Sequence, residues 1–299
     1  MPRSSKTPLM LPTDPNTPKS STAPGTLFVL ATPIGHMEDV TLRAIRTLKE
    51  VALIAAEDTR HTRKLLTRYE IGTRLTSYHD HNKEKRTPGL IKKLKSGDSI
   101  ALVSDAGTPS ISDPGHYLVR AAIQAAILVV PIPGASALVA ALSVSGLPTD
   151  SFVFVGFPPR KPAKRKQLLD GLKKEPRTLV FYESPKRLLG FVREMTQVMG
   201  DRSSVVAREL TKIHEEIIRG SLSYIVEVLE TRSSLKGECT LLVGGYEVKG
   251  EVDRGLLLKD LKQNLLEKDL PLSEVARELA RKYGLPRKIV YEEGLKLKK

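Results

Sequence analysis

The stretch Ser104–Gly115, SDAGTPSISDPG, combines residue types that build a ligand-binding loop. It follows the apolar run Ile100–Val103, which predicts a buried strand, and it precedes Tyr117–Ala126, whose apolar spacing predicts a helix. Asp113 stands at the expected N-cap of that helix, and Pro114 stands at its first position. Open α/β sheets bind ligands at the carboxyl ends of their strands, where this loop lies. The alternative is an ordinary strand-to-helix turn, although such turns usually run to about two to six residues.

The composition of this loop indicates the charge of its ligand. It contains Asp105 and Asp113 but no lysine or arginine, and an earlier loop with Pro33 and Gly35 has no basic residue either. Phosphate-binding loops normally add a basic residue to their glycines, and neither G-x-G-x-x-G nor G-x-x-x-x-G-K-[ST] occurs in the chain. We therefore expect a neutral or cationic ligand with hydroxyl and amine groups rather than a nucleoside triphosphate.

A second polar block follows Leu53–Ala56, which is predicted as a buried strand. Its candidate catalytic residues are Glu57, Asp58, Arg60 and His61. Two interpretations stay open. These side chains face a cleft, where a carboxylate or His61 accepts a proton, or they form the start of a basic helix with Asp58 or Thr59 as its N-cap.

Three histidines suggest a further alternative, which is a zinc site. His79 and His81 are two positions apart, and His61 precedes them in the chain. Because no arrangement of carboxylates or cysteines accompanies them, we predict that the protein binds no metal.

The charge of the chain indicates a polyanionic partner. Of 299 residues, 48 are basic and 34 acidic, which gives a net charge of +14. The densest basic segment contains Arg160, Lys161, Lys164, Arg165, Lys166, Lys173, Lys174 and Arg177. Only Asp170 and Glu175 oppose them, so we expect binding to the phosphates of a nucleic acid, with a solvated helix face as the alternative.

Cysteine content and hydropathy bound the compartment. Cys239 is the one cysteine, which excludes an intrachain disulfide and favours a reducing, cytoplasmic environment. No apolar run reaches the roughly 20 residues of a membrane span. Residues 1–25 are rich in Pro, Ser and Thr and lack the apolar core of a signal peptide, so we predict a disordered tail.

The order of predicted elements indicates an α/β fold with two domains and a small helical appendage. Strands alternate with helices over residues 26–135, which predicts a parallel sheet built from βαβ units. Closely spaced strands over 136–248 predict a second α/β domain with antiparallel pairs. Residues 251–299 predict an RNA-contacting helical domain of helix-turn-helix shape. Within these elements, we expect Pro88 to interrupt or delay a helix over Lys83–Lys95 and Ser273 to cap another.

Eight blocks in order carry a resemblance to a known family: ATPIGHMEDVTLRA, LIAAEDTRHTRKLL, SYHDHN, ALVSDAGTPSISDPG, VVPIPGASA, SGLPTDSF, FYESPKRL and VARELTKIHEEIIRG. Together they resemble the ribosomal RNA small subunit methyltransferase I family of the tetrapyrrole methylase superfamily. The resemblance covers about Thr26–Val248 and extends less closely to the C-terminal helices. His36 and Ala135 depart from the family, which more often has Asn and Pro there, so we expect altered local packing at both positions.

The resemblance implies S-adenosylmethionine as cofactor, bound between two α/β domains, and a homodimer. It implies 2′-O-methylation of a cytidine in the decoding region of 16S ribosomal RNA, within the small subunit. In the first domain the implied cofactor-binding residues are Pro33, Gly35, Asp105, Ala106, Gly107, Thr108, Asp113, Gly115, Pro133, Gly134, Ser136 and Ala137. In the second domain they are Tyr182, Glu183, Ala207, Arg208, Glu209, Gly237 and Glu238.

Two rival functions stay open on the sequence alone. A methylase acting on a small tetrapyrrole-like precursor needs neither the charge of +14 nor the basic residues Arg160, Lys161, Lys164, Arg165 and Lys166, which we predict to bind RNA. A non-catalytic RNA-binding relative would bind no S-adenosylmethionine.

Overall fold

A computed structural model describes residues 23–113, 115–247, 254–267, 270–283 and 285–297 of the protein. The strands are β1 (Leu27–Leu30), β2 (Leu53–Ala56), β3 (Leu75–Ser77), β4 (Ile100–Val103), β5 (Val129–Ile132), β6 (Phe152–Gly156), β7 (Thr178–Glu183), β8 (Ser203–Arg208), β9 (Glu216–Ser221) and β10 (Cys239–Val243). The helices are α1 (Leu42–Glu50), α2 (Thr59–Arg68), α3 (Lys83–Lys95), α4 (Gly115–Gln124), α5 (Ala137–Ser145), α6 (Pro162–Leu172), α7 (Pro185–Met199), α8 (Leu222–Glu230), α9 (Arg254–Glu267), α10 (Leu272–Tyr283) and α11 (Arg287–Leu297).

The chain divides into two compact units, with the division between Ala137 and Leu138. The first unit contains a parallel sheet of five strands in the order β3-β2-β4-β1-β5. Helices cover both faces, since Leu48 of α1 packs in one core and Leu94 of α3 packs in the other. The strands are therefore buried on both sides, as parallel sheets require, and all four residues of β4 are buried.

The second unit contains a mixed sheet of five strands in the order β6-β7-β10-β8-β9. Strands β6 and β7 are parallel and the other three pairs are antiparallel, so the predicted mixed sheet is confirmed. Its core joins apolar side chains of α6, α7 and α8, including Leu169, Phe191 and Ile225, to the sheet. The two α/β sheets and the C-terminal helices confirm the predicted fold class.

Three helices, α9 to α11, form a separate apolar cluster that includes Leu261, Leu279 and Val290. The side chain of Asp260 on α9 accepts hydrogen bonds from Lys282 and Tyr283 at the end of α10, at 2.6 and 2.5 Å. None of the helices in the described ranges combines the length and the apolarity needed to span a membrane.

Two local predictions were wrong. Helix α3 runs uninterrupted through Pro88, because this proline near the start of the helix removes a single backbone donor, the partner of the Glu84 carbonyl, and the helix continues beyond it. Ser273 does not cap α10, which begins one residue earlier, and the Pro271 carbonyl accepts from Glu274 N at 2.8 Å.

Only the last three residues of the predicted N-terminal tail lie within the described residues. Pro114 and residues 1–22 of the predicted tail lie outside the described residues. Gly25, which was predicted to belong to that tail, donates its backbone N–H to the Leu94 carbonyl at 2.7 Å.

Candidate functional site

Loops that follow β1 and β4 are joined at the carboxyl edge of the parallel sheet. Thr32 and Gly107 exchange two backbone hydrogen bonds of 2.9 and 3.0 Å, and Thr32 Oγ1 donates to the Ser104 carbonyl at 3.1 Å. Gly107 has φ +80°, a left-handed conformation that residues with a side chain rarely adopt. The first loop, which carries Pro33 and Gly35, is therefore held against the second, which carries Asp105, Gly107 and Thr108.

Asp113 closes the β4 loop upon itself. One carboxylate oxygen accepts from the backbone N–H groups of Ser110 and Gly115, at 2.7 and 2.9 Å. The other accepts from Ser104 Oγ at 2.5 Å. Ser110 and Ser112 both have positive φ, at 74° and 64°, which is unfavourable for serine. The charge-assisted bonds to Asp113 hold this strained conformation, so this aspartate shapes the loop from within.

The loop after β5 completes the same edge. Thr108 Oγ1 donates to the Ala135 carbonyl at 3.3 Å. A Cβ added to Gly134 would stand 3.0 Å from the Cβ of Ala31, so the loop approaches the end of β1 as closely as a glycine allows. Ala135 contributes a backbone oxygen, which proline also has, and Ser136 and Ala137 follow directly. The structure thus brings the first-domain residues of the predicted cofactor site together on three adjacent loops.

Carboxylates gather where the β2 and β4 loops meet. The backbone N–H of Asp58 donates to Asp105 Oδ1 at 2.9 Å, which ties the two loops together. The pKa of Glu57 is raised by its burial and by the negative charges of Asp105 and Asp113. The contribution of Asp105 and Asp113 to this rise indicates a negative potential at this edge, which favours a cationic group.

The negative potential around Glu57 leads to a prediction for the stability of the Glu57→Gln variant. A carboxyl whose pKa is raised on folding stabilises the fold while protonated, and that contribution is lost as the pH rises through the folded pKa. At pH 7 the glutamine removes the repulsion among the carboxylates, so we expect a higher melting temperature than wild type. Near pH 4 both side chains are largely neutral and the difference should vanish. Calorimetry at the two pH values measures this, and an equal shift at both would contradict it.

Asp58 and Arg60 are engaged with each other at the start of α2. Asp58 is the N-cap and accepts from the Arg60 backbone N–H at 2.8 Å, which matches one of the two interpretations of this block. Its carboxylate also forms a fork with the Arg60 guanidinium, at 2.7 and 3.1 Å, and this pairing holds the pKa of Asp58 well below its usual range. Arg60 is 90% exposed, and His61 is exposed beside it. The Asp58 carboxylate thus fixes the direction of the Arg60 guanidinium, which stays exposed to solvent.

In the second unit, Tyr182 and Glu183 end strand β7. The Tyr182 hydroxyl accepts from the Leu138 backbone N–H at 3.1 Å, and burial against Phe154 and Phe157 accompanies a raised pKa. The Glu183 side chain is only 1% exposed and pairs with Arg187 at 2.6 Å. Both side chains are therefore fixed by their neighbours.

A lysine that sequence reasoning missed connects the remaining residues of this unit. Lys212 pairs with Glu209 at 2.7 Å and with Glu238 at 3.1 Å. A Cβ on Gly237, whose φ is +93°, would stand 2.2 Å from Glu209 Cδ, so only glycine fits there. Ala207 and Arg208 pair with the start of β10, so these residues share one end of the mixed sheet. Lys212 lies inside the block VARELTKIHEE, and its position in that block was the signal by which sequence analysis could have identified it.

The predicted RNA-binding segment divides into two groups. Arg165 forms a bidentate ion pair with Glu194 of α7, at 2.5 and 2.6 Å, and is largely buried. The other four side chains, Arg160, Lys161, Lys164 and Lys166, are exposed. Arg165 therefore stabilises the packing of α6 on α7, and the exposed side chains are the cations available to a partner.

The three histidines do not share a site with further ligands. His79 contacts Asn82 through Nε2 at 3.0 Å, and His81 lies at 6.1 Å from it between ring centroids. Across the described ranges, no group of three or more His, Cys, Asp or Glu side chains is arranged to hold a metal ion.

Comparisons with known proteins agree with this arrangement. The model of the family described as Tetrapyrrole (Corrin/Porphyrin) Methylases matches residues 26–226. A relative from Synechocystis sp., named Ribosomal RNA small subunit methyltransferase I, is 49% identical over 91% of this chain and 98% of its own. A protein of the same name from Halalkalibacterium halodurans is 47% identical over 89% and 93%.

A solved structure shares the fold at much lower identity. Uroporphyrin-III C-methyl transferase from Thermus thermophilus, complexed with S-adenyl homocysteine, has a TM-score of 0.53 and 20% identity. The match covers 74% of this chain and 97% of the other.

Proposed function

Because the chain belongs to the ribosomal RNA small subunit methyltransferase I family of the tetrapyrrole methylases, we propose that it methylates the ribose 2′-hydroxyl of a cytidine in the decoding region of 16S ribosomal RNA. At the coarser level it is an S-adenosylmethionine-dependent methyltransferase acting on ribosomal RNA. The observation that carries the proposal is the identity of 49% over nearly the whole of both chains. The net charge of +14 supports an RNA substrate.

The residues at the carboxyl edge of the first unit fit S-adenosylmethionine. The loops carry carboxylates and no basic side chain, which suits a sulfonium and an amine. Ser110 Oγ is buried and has no hydrogen-bond partner within the described residues, so it is available to a ligand. Gly107 and Gly134 permit the close approach of backbone. We propose that these loops and the predicted residues of β7, β8 and the turn before β10 bind the cofactor.

The cofactor supplies a methyl group that is already activated as part of a sulfonium cation. The protein must therefore orient the acceptor ribose and provide for loss of a proton from a weakly acidic hydroxyl. We assign orientation to Arg60, whose guanidinium is held by Asp58 and can bind a phosphate beside the target. Glu57 and His61 are the candidates for accepting the proton.

Methyl transfer to isolated small ribosomal subunits tests the proposal. Subunits that lack this modification are incubated with the protein and S-adenosylmethionine labelled in its methyl group, and the RNA is digested to nucleosides. We expect the label in 2′-O-methylcytidine. Label on a base, or transfer to uroporphyrinogen but not to subunits, would favour the rival functions. Binding of S-adenosylmethionine in a calorimetric titration would exclude the second rival, a non-catalytic RNA-binding relative.

Neutralising the exposed cations of α6 should weaken binding to the subunit. For Lys164→Gln together with Lys166→Gln, we expect a lower affinity and a salt dependence reduced by about 0.7 units of slope for each phosphate that is no longer bound. Arg165 is left intact because its ion pair with Glu194 supports the fold. Filter binding over a range of salt concentrations measures the slope. An unchanged slope would identify the segment as a solvated face.

The homodimer, the cytoplasmic location and the RNA-contacting role of the C-terminal helices stay predictions, as do the domain boundaries.

A further inference from the structure

Helix α2 exposes a set of cations that the predicted RNA-binding segment does not include. The helix has the sequence TRHTRKLLTR and contains no acidic residue. Thr62, Leu65 and Leu66 are buried in the unit. The opposite face is exposed and carries the basic residues Arg60, His61, Arg63, Lys64 and Arg68. We call Arg60, Arg63, Lys64 and Arg68 the α2 cations.

Helix stability does not explain the α2 cations. Arg60, Lys64 and Arg68 are four residues apart, and like charges at this spacing repel one another. Arg60 in the first turn also opposes the helix dipole, whereas Arg68 in the last turn complements it. The arrangement therefore destabilises the isolated helix, which points to a role outside the fold.

Two lysines of α3, in the same unit, are paired with acids. On α3, Lys83 pairs with Asp80 at 2.8 Å, and Lys93 lies 3.7 Å from Asp98. On α2, Arg60 has an acidic partner, which is Asp58. Within the described residues, Arg63, Lys64 and Arg68 form no ion pair. Their charge is thus available to a partner.

The position of α2 connects this charge to the candidate site. The helix begins three residues after the end of β2, and its N-cap Asp58 donates its backbone N–H to Asp105. Ten helical residues extend about 15 Å from that edge. The α2 cations therefore begin beside the acidic loops and continue away from them.

From this geometry we propose that the α2 cations bind the phosphates of the RNA strand on the side of the target ribose, in the first unit. The inference rests on the proposed function, because the ligand is the RNA substrate of that reaction. A strand held along α2 enters the site next to Arg60, while the carboxylates of Glu57 and Asp105 keep phosphates out of the cofactor loops by repulsion. The α2 cations thus attract the RNA, and the acidic loops attract the cationic cofactor.

The test uses the full chain with Arg63→Gln and Lys64→Gln. Neither residue belongs to the catalytic or cofactor-binding set. The matched control is Lys92→Gln with Lys95→Gln, which removes the same charge from the exposed end of α3, just before β4 and so at the opposite edge of the sheet. For each protein, binding to unmethylated small subunits is measured across salt concentrations, together with methylation kinetics and the affinity for S-adenosylmethionine.

We expect the α2 variant to raise KM for subunits and to lower the salt slope by roughly 1.4, from a coefficient of about 0.7 for each phosphate neutralised on a single strand. The turnover at saturating subunits and the affinity for S-adenosylmethionine should stay near wild type, and the control should match wild type throughout.

Two outcomes would overturn the inference. A slope equal to that of the control means that α2 binds no phosphate of the RNA. The second is that the α2 variant no longer binds phosphatidylserine-containing vesicles that the wild type binds, while its salt slope for subunits is unchanged. The partner of the α2 cations would then be a membrane surface. If wild-type protein methylates no small subunit, the proposed function itself fails, and that result is distinct from either.

Discussion

Asp113→Ala should lower the rate of methyl transfer by about a hundredfold and weaken the binding of S-adenosylmethionine. The alanine removes three hydrogen bonds at once, from Ser104, Ser110 and Gly115. Nothing then compensates for the unfavourable positive φ of Ser110 and Ser112, so the loop relaxes away from its native conformation. Misplacement by about 1 Å is enough to cost about a hundredfold in rate. Calorimetric titration and single-turnover assays measure the two effects.

Two further variants isolate the cause of this effect. Asp113→Asn keeps an oxygen for the backbone N–H groups of Ser110 and Gly115, so we expect it to recover a large part of the affinity. Asp98→Ala removes a carboxylate at the opposite end of β4, whose ion pair within the described residues is with Lys93, and should leave binding unchanged. If Asp113→Ala binds S-adenosylmethionine as wild type does, the closed loop is not required for the cofactor.

The fold class was predictable because burial on both faces leaves a clear pattern in the sequence. The run Ile100–Val103 is apolar without alternation, and the structure buries all four residues in the centre of a parallel sheet. The mixed sheet was predictable from the close spacing of its late strands. The continuity of α3 was not, because a proline near the start of a helical pattern is compatible with a late start, an interruption or a continuous helix, and the sequence does not distinguish them.

The site was predictable in its charge but not in its connections. Loop composition indicated an acidic site, and the contribution of Asp105 and Asp113 to the raised pKa of Glu57 agrees with it. The partners of Arg165 and Gly237 were not accessible to sequence reasoning, since Glu194 and Glu209 are distant in the chain and meet them only through tertiary packing. For the same reason, the basic segment that the sequence predicted to bind RNA included Arg165, whose side chain is paired with Glu194 inside the fold.

The charge on Asp58 can be separated from its capping role by substitution. Asp58→Ala removes both the cap of α2 and the fork to Arg60, whereas Asp58→Asn keeps an acceptor for the Arg60 backbone N–H. Melting temperatures should therefore follow the cap, with Asp58→Ala the less stable of the two. Activity should instead follow the fork, because the guanidinium loses its fixed direction in both variants.

We expect Asp58→Ala and Arg60→Ala each to lower single-turnover methylation of small subunits by at least about tenfold, or roughly 1.4 kcal/mol of barrier. The affinity for S-adenosylmethionine should be largely retained, since neither side chain lies in the cofactor loops. Asp58→Asn should resemble Arg60→Ala in rate while melting close to wild type. His61→Ala should flatten the acidic limb of the pH–rate profile if His61 accepts the proton. Wild-type turnover in all of these variants would mean that the acceptor ribose is oriented elsewhere, with Tyr182–Arg187 and Arg208–Glu215 as the next segments to test.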